Sequence, residues 1–286
     1  MATLRDTRKR IKSVKNTQKI TRAMKLVSAA KLRRAQEAVE AARPYAEKVD
    51  DTVAALAVRA AKLGEAPHPL LASGLETHGR IELIVLTSDR GLCGGFNSNT
   101  VRRAQRFMID EEAEHQAIEL ATIGKKGYEL LKAKADIRVN HTDLFAKGFS
   151  GAAALAEEYC ARFVAGDDNL DGVFLLYNQF KGDLQLKQLL PIAPHETDDD
   201  LADYEYEPDR HELLDRLLRT HFATQLNLSL LETTAAEHLA RMMAMDAATT
   251  NAGEMVSKLT LVYNRARQAA ITTELMEIIG GAEALK

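Results

Sequence analysis

The residues best placed to carry chemistry lie in Thr87–Asn99, TSDRGLCGGFNSN, directly after the apolar run Ile81–Thr87. A glycine-rich turn between a strand and a helix can offer backbone N–H groups to a phosphate. This turn contains neither GxGxxG nor GxxxxGK[ST], and no well-placed acid follows about 20 residues later to hold a ribose. The simpler reading is a tight turn in which Gly91, Gly94 and Gly95 allow positive φ and close helix–sheet packing. Cys93 has no histidine nearby in sequence, so it reads as a packed side chain rather than a nucleophile. The eight histidines, His68, His78, His115, His141, His195, His211, His221 and His238, show no metal-ligand spacing. Asp198–Asp200 reads as a solvated loop. No catalytic residue, cofactor-binding residue or metal ligand is expected.

Charge is the second chemical feature. Residues 1–36 hold twelve Lys or Arg against one acid, Asp6, which leaves −14 for the rest of a chain whose net charge is −3. A block of like charge this large requires compensation from outside itself. Nucleic acid, through counterion release, is one candidate partner. A membrane surface is another, and an organelle-targeting helix is a third. The third is disfavoured because the segment continues helical to about residue 60 instead of ending in a cleavage region, and the apolar positions argue against the other two. At 100° per residue Ile11 and Val14 fall on one side, whereas Ile20, Ala23, Met24, Val27 and Ala30 fall on roughly the opposite side. A helix lying on one surface keeps one face. A rod enclosed by a collar does not.

The elements that position these residues follow from composition and period. With 46% apolar and 28% charged residues the 286-residue chain reads as folded. No apolar run reaches the ~18–20 residues of a membrane span. Two cysteines support neither a disulfide scaffold nor a zinc site. Residues 1–63 lack glycine and are rich in strong helix formers, predicting a helix of about 85 Å with a kink near Ala41–Pro44. Residues 64–79 read as a linker. In residues 80–194 apolar runs at Ile81–Thr87, Ile118–Ile123, Ile137–His141, Gly172–Tyr177 and Leu184–Leu190 predict strands. Helices are predicted between them at Asn97–Gln116, Lys125–Lys134 and Gly151–Ala165, the last capped by Ser150. The result is a mostly parallel, Rossmann-like α/β domain whose last strand pair is antiparallel.

An acidic loop, residues 195–208, leads into a second long helix over 209–286, roughly 100 Å or more. Leu228, Leu231, Ala235, His238, Met242, Met245, Thr249, Ala252, Val256, Leu259, Tyr263, Ala266 and Ala270 recur at spacings of three and four, a coiled-coil seam. Neither helix is stable alone at such length. The predicted fold class is therefore mixed α+β and α/β, an antiparallel coiled coil of the terminal helices with an inserted α/β domain. An elongated stalk with a globular body at one end is expected.

The chain resembles the gamma subunit of F-type ATP synthases over essentially its whole length. The resemblance rests on IKSVKNTQKITRAMKLVSAAKLRRAQ, TSDRGLCGGFNSN, YEYEPD and RMMAMDAATTNAGEMVSKLTLVYNRARQAAITTELMEIIGGAEAL. It implies a non-catalytic central shaft inside a ring of alpha and beta subunits, standing beside the epsilon subunit on the membrane rotor ring of c subunits. Proton flow would turn the shaft, whose lopsided surface drives the catalytic beta subunits through their nucleotide states and regulates ATPase activity and proton flow. By matching position, Met24 and Lys25 would face the acidic lever of the beta subunit, and Arg267 and Gln268 its catch loop. Thr272, Glu274 and Glu277 follow on the same helix, where the family couples them to the methionine region. Tyr204, Tyr206 and Glu207 match the foot resting on the rotor ring. Thr273, where relatives often carry a longer polar residue, departs from the pattern.

Two other functions stand beside that one: an enzyme using the Gly91–Gly95 turn for a nucleotide, and a basic coiled-coil adaptor for nucleic acid. The resemblance implies no nucleic-acid partner and no direct membrane span. A start without a presequence favours the cytoplasmic face of a bacterial plasma membrane, although a mature organelle form would look the same.

Overall fold

The computed structural model describes residues 4–62, 68–71, 79–112, 115–166, 170–193 and 210–283. These divide into two units. One takes in the chain up to Ala29 and from Arg241 onward, and the other is Ala30–Ala240.

The second unit is built on a five-stranded sheet ordered β3-β2-β1-β4-β5. Strands β1 (Arg80–Leu86), β2 (Ala117–Ile123), β3 (Ile137–His141) and β4 (Leu170–Asn178) run parallel. β5 (Leu184–Leu190) returns antiparallel on β4. Burial on both faces explains the near-continuous apolar run of β1. Ile81, Leu83 and Val85 pack with Val101, Ala104 and Phe107 of α2 (Phe96–Glu111) and with Leu131 of α3 (Lys125–Leu131). Ile84 and Leu86 belong to the opposite core, with Leu155, Ala156 and Tyr159 of α5 (Phe149–Ala165). A short α4 (Leu144–Lys147) precedes α5.

That opposite core also contains Val53 and Leu56 of α1 (Leu4–Lys62) and Leu218, Phe222, Leu226 and Leu230 of α6 (Arg210–Glu283). The long helices therefore cover the sheet here, and α6 is buried over a wider arc than a two-helix seam requires. α1 runs unbroken through Pro44. Pro44 and Glu40, whose carbonyl it leaves without its helical partner, are both exposed residues, and the buried residues Val39, Ala46, Val49 and Val53 anchor the helix on both sides. α5 begins at Phe149 after Gly148, whose φ is 56°, so Ser150 is not its cap. Its hydroxyl donates instead to the Lys147 carbonyl.

The other unit pairs the two ends of the chain antiparallel. Lys25 meets Asp246, Thr21 meets Thr249, and Gln18 meets Thr249.

Candidate functional site

The seam of the terminal helix pair follows a 3.5-residue repeat on both sides. On α1 the covered positions are Thr7, Ile11, Val14, Gln18, Thr21, Lys25 and Ser28, of which Thr7, Thr21 and Ser28 are buried. On α6 they are Met242, Met245, Thr249, Ala252, Val256, Leu259 and Tyr263, with Met245 and Ala252 buried. At its centre the Thr21 and Thr249 hydroxyls lie 2.7 Å apart, and Gln18 Nε2 donates to the Thr249 carbonyl at 3.4 Å. Five of these seven α1 residues are polar, so a search for apolar repeats alone passes over them.

The apolar residues of α1 point elsewhere. Ile20, Leu26 and Val27 are 60%, 65% and 56% exposed. Ile20 and Val27 project about 130° from the centre of the seam at 100° per residue. Met24 is half-buried beside the seam. Its neighbour Lys25 is held by Asp246, with Nζ 2.6 Å from Oδ1. On α6, Met243 and Leu261 are likewise exposed away from that helix's seam.

Counting along the antiparallel pair places Thr7 opposite about Tyr263 and Leu4 opposite about Ala266. Beyond that level α6 faces no described residue of α1, which explains why Ala266, expected in the seam, is exposed. Arg267, Gln268, Thr272 and Glu274 lie past this point and are all exposed. The Thr272 hydroxyl donates to the Gln268 carbonyl. Glu277 lies within α6. Ile271, Leu275, Met276, Ile278 and Ile279, 49–68% exposed, make this stretch apolar as well. The structure does not bring Arg267 to Met24: about 20 helical residues, or roughly 30 Å, separate their levels. Tyr204, Tyr206 and Glu207 lie outside the described residues.

In the second unit the glycine-rich turn satisfies itself. The Ser88 N–H donates to Asn97 Oδ1 at 3.0 Å, and Asn97 Nδ2 donates to Ser88 Oγ at 2.8 Å. Cys93 is buried and its sulfur accepts from Asn97. The Lys125 N–H donates to Asp89 Oδ1. Side chains of the turn and of α2 thus occupy donors that a phosphate would need. Of the three expected glycines only Gly94 takes positive φ, at 60°. Leu92 takes the other, at 64°, and Gly95 sits at −82°. The second cysteine, Cys160, is buried, and burial pushes its thiol up to about 12. The Cys160 thiol is therefore not poised as a nucleophile. Among the described residues no cluster of His, Cys, Asp or Glu could hold a metal.

Two buried polar groupings escape a sequence reading. Glu82, in the middle of β1, is fully buried and accepts from Arg138 Nε at 2.9 Å, Arg162 Nη1 at 2.8 Å and the Tyr159 hydroxyl at 2.5 Å. An acid inside IELIVLT is the only local signal, because its partners stand on β3 and α5. Between α1, α6 and β5, Glu232 pairs with Arg43 at 3.0 Å, His221 with Asp50 at 2.7 Å and Lys187 with Gln225 at 2.7 Å. Burial raises the Glu232 carboxyl and lowers the Lys187 ammonium from their ordinary values.

Comparison with known proteins decides the family. The sequence profile described as ATP synthase matches residues 3–285. The ATP synthase gamma chain of Geotalea daltonii is 50% identical over 293 residues, and that of Anaeromyxobacter dehalogenans 51% over 294, each alignment covering 100% of both chains.

The chain belongs to the ATP synthase gamma-chain family.

Solved structures share the fold of this gamma-chain family member. A chain of the Euglena gracilis mitochondrial ATP synthase aligns with a TM-score of 0.65 at 20% identity, covering 99% of this chain and 94% of that one. A chain of the Tetrahymena thermophila central stalk and c-ring aligns at 0.60 and 24% identity, covering 80% and 99%. Long N- and C-terminal helices and a mixed α/β sheet domain are thus the shared fold.

Proposed function

We propose that this chain is the central rotary shaft of an F-type ATP synthase, coupling ion flow through a membrane rotor ring to nucleotide cycling in the beta subunits. The observation that carries this reading is the outward apolar surface of the terminal helix pair. Ile20 and Val27 on α1, and Met243 and Leu261 on α6, face away from a seam that is already filled. A solitary helix pair in water presents polar outer faces. A pair enclosed by other subunits presents apolar contacts outward as well. The excess of positive charge in residues 1–36 supplies attraction to an acidic collar through contacts that are weak one by one. A shaft that turns against its bearing needs contacts of that kind.

In this reading Met24 and Lys25 meet the acidic lever of the beta subunit, and Arg267 and Gln268 its catch loop, with Thr272, Glu274 and Glu277 supporting the latter. Residues 1–63 and 209–286 supply the shaft and 80–194 the body, joined through a linker at 64–79. Residues 195–208, with Tyr204, Tyr206 and Glu207, form the foot on the rotor ring. The alpha, beta and epsilon subunits and the c ring are the partners, and the complex sits at the cytoplasmic face of a bacterial membrane. Among the described residues no helix is long and apolar enough to cross a membrane, which fits a peripheral shaft. The chain itself hydrolyses nothing, and through its contacts it regulates ATPase activity and proton flow.

Purification of a tagged chain from its native membranes tests the proposal. Recovery with alpha, beta, epsilon and c subunits in one ATP-hydrolysing particle is expected. Recovery without the alpha and beta subunits, or saturable micromolar ATP binding and turnover by the chain alone, overturns it.

A further inference from the structure

The seam of the terminal helix pair is specified by hydrogen bonds more than by shape. On α6 the seam residues from Met242 to Tyr263 recur every 3.5 residues and are mostly apolar, so a slip of one heptad, about 10 Å, offers α1 a similar face again. Several are small or only half-buried, which weakens any preference from knob-and-hole fit. The polar members behave differently. The Thr21 hydroxyl lies 2.7 Å from that of Thr249, and the Gln18 amide donates to the Thr249 main-chain carbonyl. These partners meet at one axial setting and at no other.

Gly253 completes the arrangement. A Cβ built there would lie 2.9 Å from Gln18 Nε2, with no other heavy atom within 4 Å outside its own turn. The glycine leaves the space through which the Gln18 side chain reaches the facing helix. Glycine inside a long helix is otherwise unfavourable.

We propose that Gln18, Thr21 and Thr249, with the gap at Gly253, are positioning residues that set the axial register of the two terminal helices. Resting on the shaft reading above, the register fixes the height of Met24 and Lys25 on one helix relative to Arg267 and Gln268 on the other. A slip of one residue displaces the two contact levels by about 1.5 Å. A polar pair within a helix seam trades stability for a unique alignment. Its removal by an isosteric apolar residue therefore loosens the register without unfolding the pair.

The test compares Thr21→Val/Thr249→Val, Thr21→Ser/Thr249→Ser and Gly253→Ala with the wild type, both in the full-length chain and in the assembled complex. Oxidative cross-linking reads the register. A Val14→Cys/Val256→Cys pair reports the native setting, and an Ile11→Cys/Ala252→Cys pair reports a setting one heptad away. The ratio of ATP-driven ion pumping to ATP hydrolysis reads coupling. The valine double variant and Gly253→Ala are expected to keep or raise the thermal midpoint. In both, the out-of-register cross-link should rise about fivefold and the coupling ratio should fall, while the serine double variant stays like wild type. Unchanged cross-linking in the valine double variant and Gly253→Ala overturns the proposal. So does a loss of coupling that accompanies a lowered midpoint and that serine fails to rescue. Should the wild-type chain not assemble with alpha and beta subunits, the shaft reading fails, and cross-linking of the chain alone still decides the register.

Discussion

Lys25 Nζ lies 2.6 Å from Asp246 Oδ1, joining the two terminal helices across their seam. The side chains are 38% and 55% exposed, so water and salt screen the attraction. In the isolated chain a double-mutant cycle with Lys25→Gln and Asp246→Asn should give a coupling energy below about 1 kcal/mol by chemical denaturation, falling further in high salt. In the assembled complex Lys25→Gln should impair coupling more than Asp246→Asn, because Lys25 would also meet the acidic lever. Equal effects of the two variants in the complex would show that Lys25 serves only the helix pair.

Glu82 is the opposite case, a carboxylate with no solvent exposure held by two guanidinium groups and a phenol. Removing its charge leaves Arg138 and Arg162 facing a neutral group in a desolvated site. Glu82→Gln should lower the unfolding free energy by about 3–5 kcal/mol. Tyr159→Phe, which removes one donor and keeps the ring stacked on Phe222, should cost about 1–3 kcal/mol. Denaturant unfolding of the two variants checks the ranking.

How much of this was readable in the sequence depends on the range of the interaction. Strands β3 and β5 lie where their apolar runs place them, and the antiparallel return of β5 follows from the short turn at Gly182–Asp183. Burial on both sheet faces writes itself into consecutive residues. The α6 half of the terminal seam, Met242 to Tyr263, was legible at its three-and-four spacing, but the α1 half was not, because Thr21 and Gln18 are good seam residues only when Thr249 stands opposite. The apolar residues that dominate the helical wheel of α1, Ile20 and Val27, turn out to lie on its outer face. Glu82 shows the same limit, since its arginines come from 56 and 80 residues away. Matching family motifs supplied what periodicity did not, namely which exposed positions on α6 to watch.

Gly124 is the corner where β2 turns into α3, and its φ is 101°. A Cβ at this position would sit 2.2 Å from the Thr87 main-chain oxygen, which cannot swing aside as a side chain could. The dihedral alone costs a residue with a side chain about 1–3 kcal/mol. Gly124→Ala should therefore destabilise by at least that amount. Gly91→Ala, with nothing within 4 Å and no positive φ, should change stability by less than about 0.5 kcal/mol. Denaturant midpoints of the two alanine variants separate a glycine required by the fold from one that is not.

His68 gives the chain a predictable response to acid. Its Nδ1 accepts the Leu70 N–H at 3.2 Å, and its Nε2 lies 3.4 Å from Asp215 Oδ1. Burial holds its pKa below the ordinary 6.5; Asp215 opposes that shift, while His211 and Arg219 add to it. A depressed pKa means that the unfolded chain takes up the proton first, so the contribution to stability is present above pH 6.5 and is lost as pH falls through the lower folded value. Protonation at Nδ1 also removes the acceptor that holds Leu70, which is fully buried. His141, lowered chiefly by burial, acts in the same direction. Glu232 acts in the other, since its raised pKa favours folding as the carboxyl is protonated. The difference between wild type and His68→Gln, rather than either curve alone, therefore isolates the histidine. Denaturant midpoints measured from about pH 8 to 5 should fall more steeply in the wild type than in His68→Gln. Parallel curves would mean that His68 titrates alike in the folded and unfolded chains.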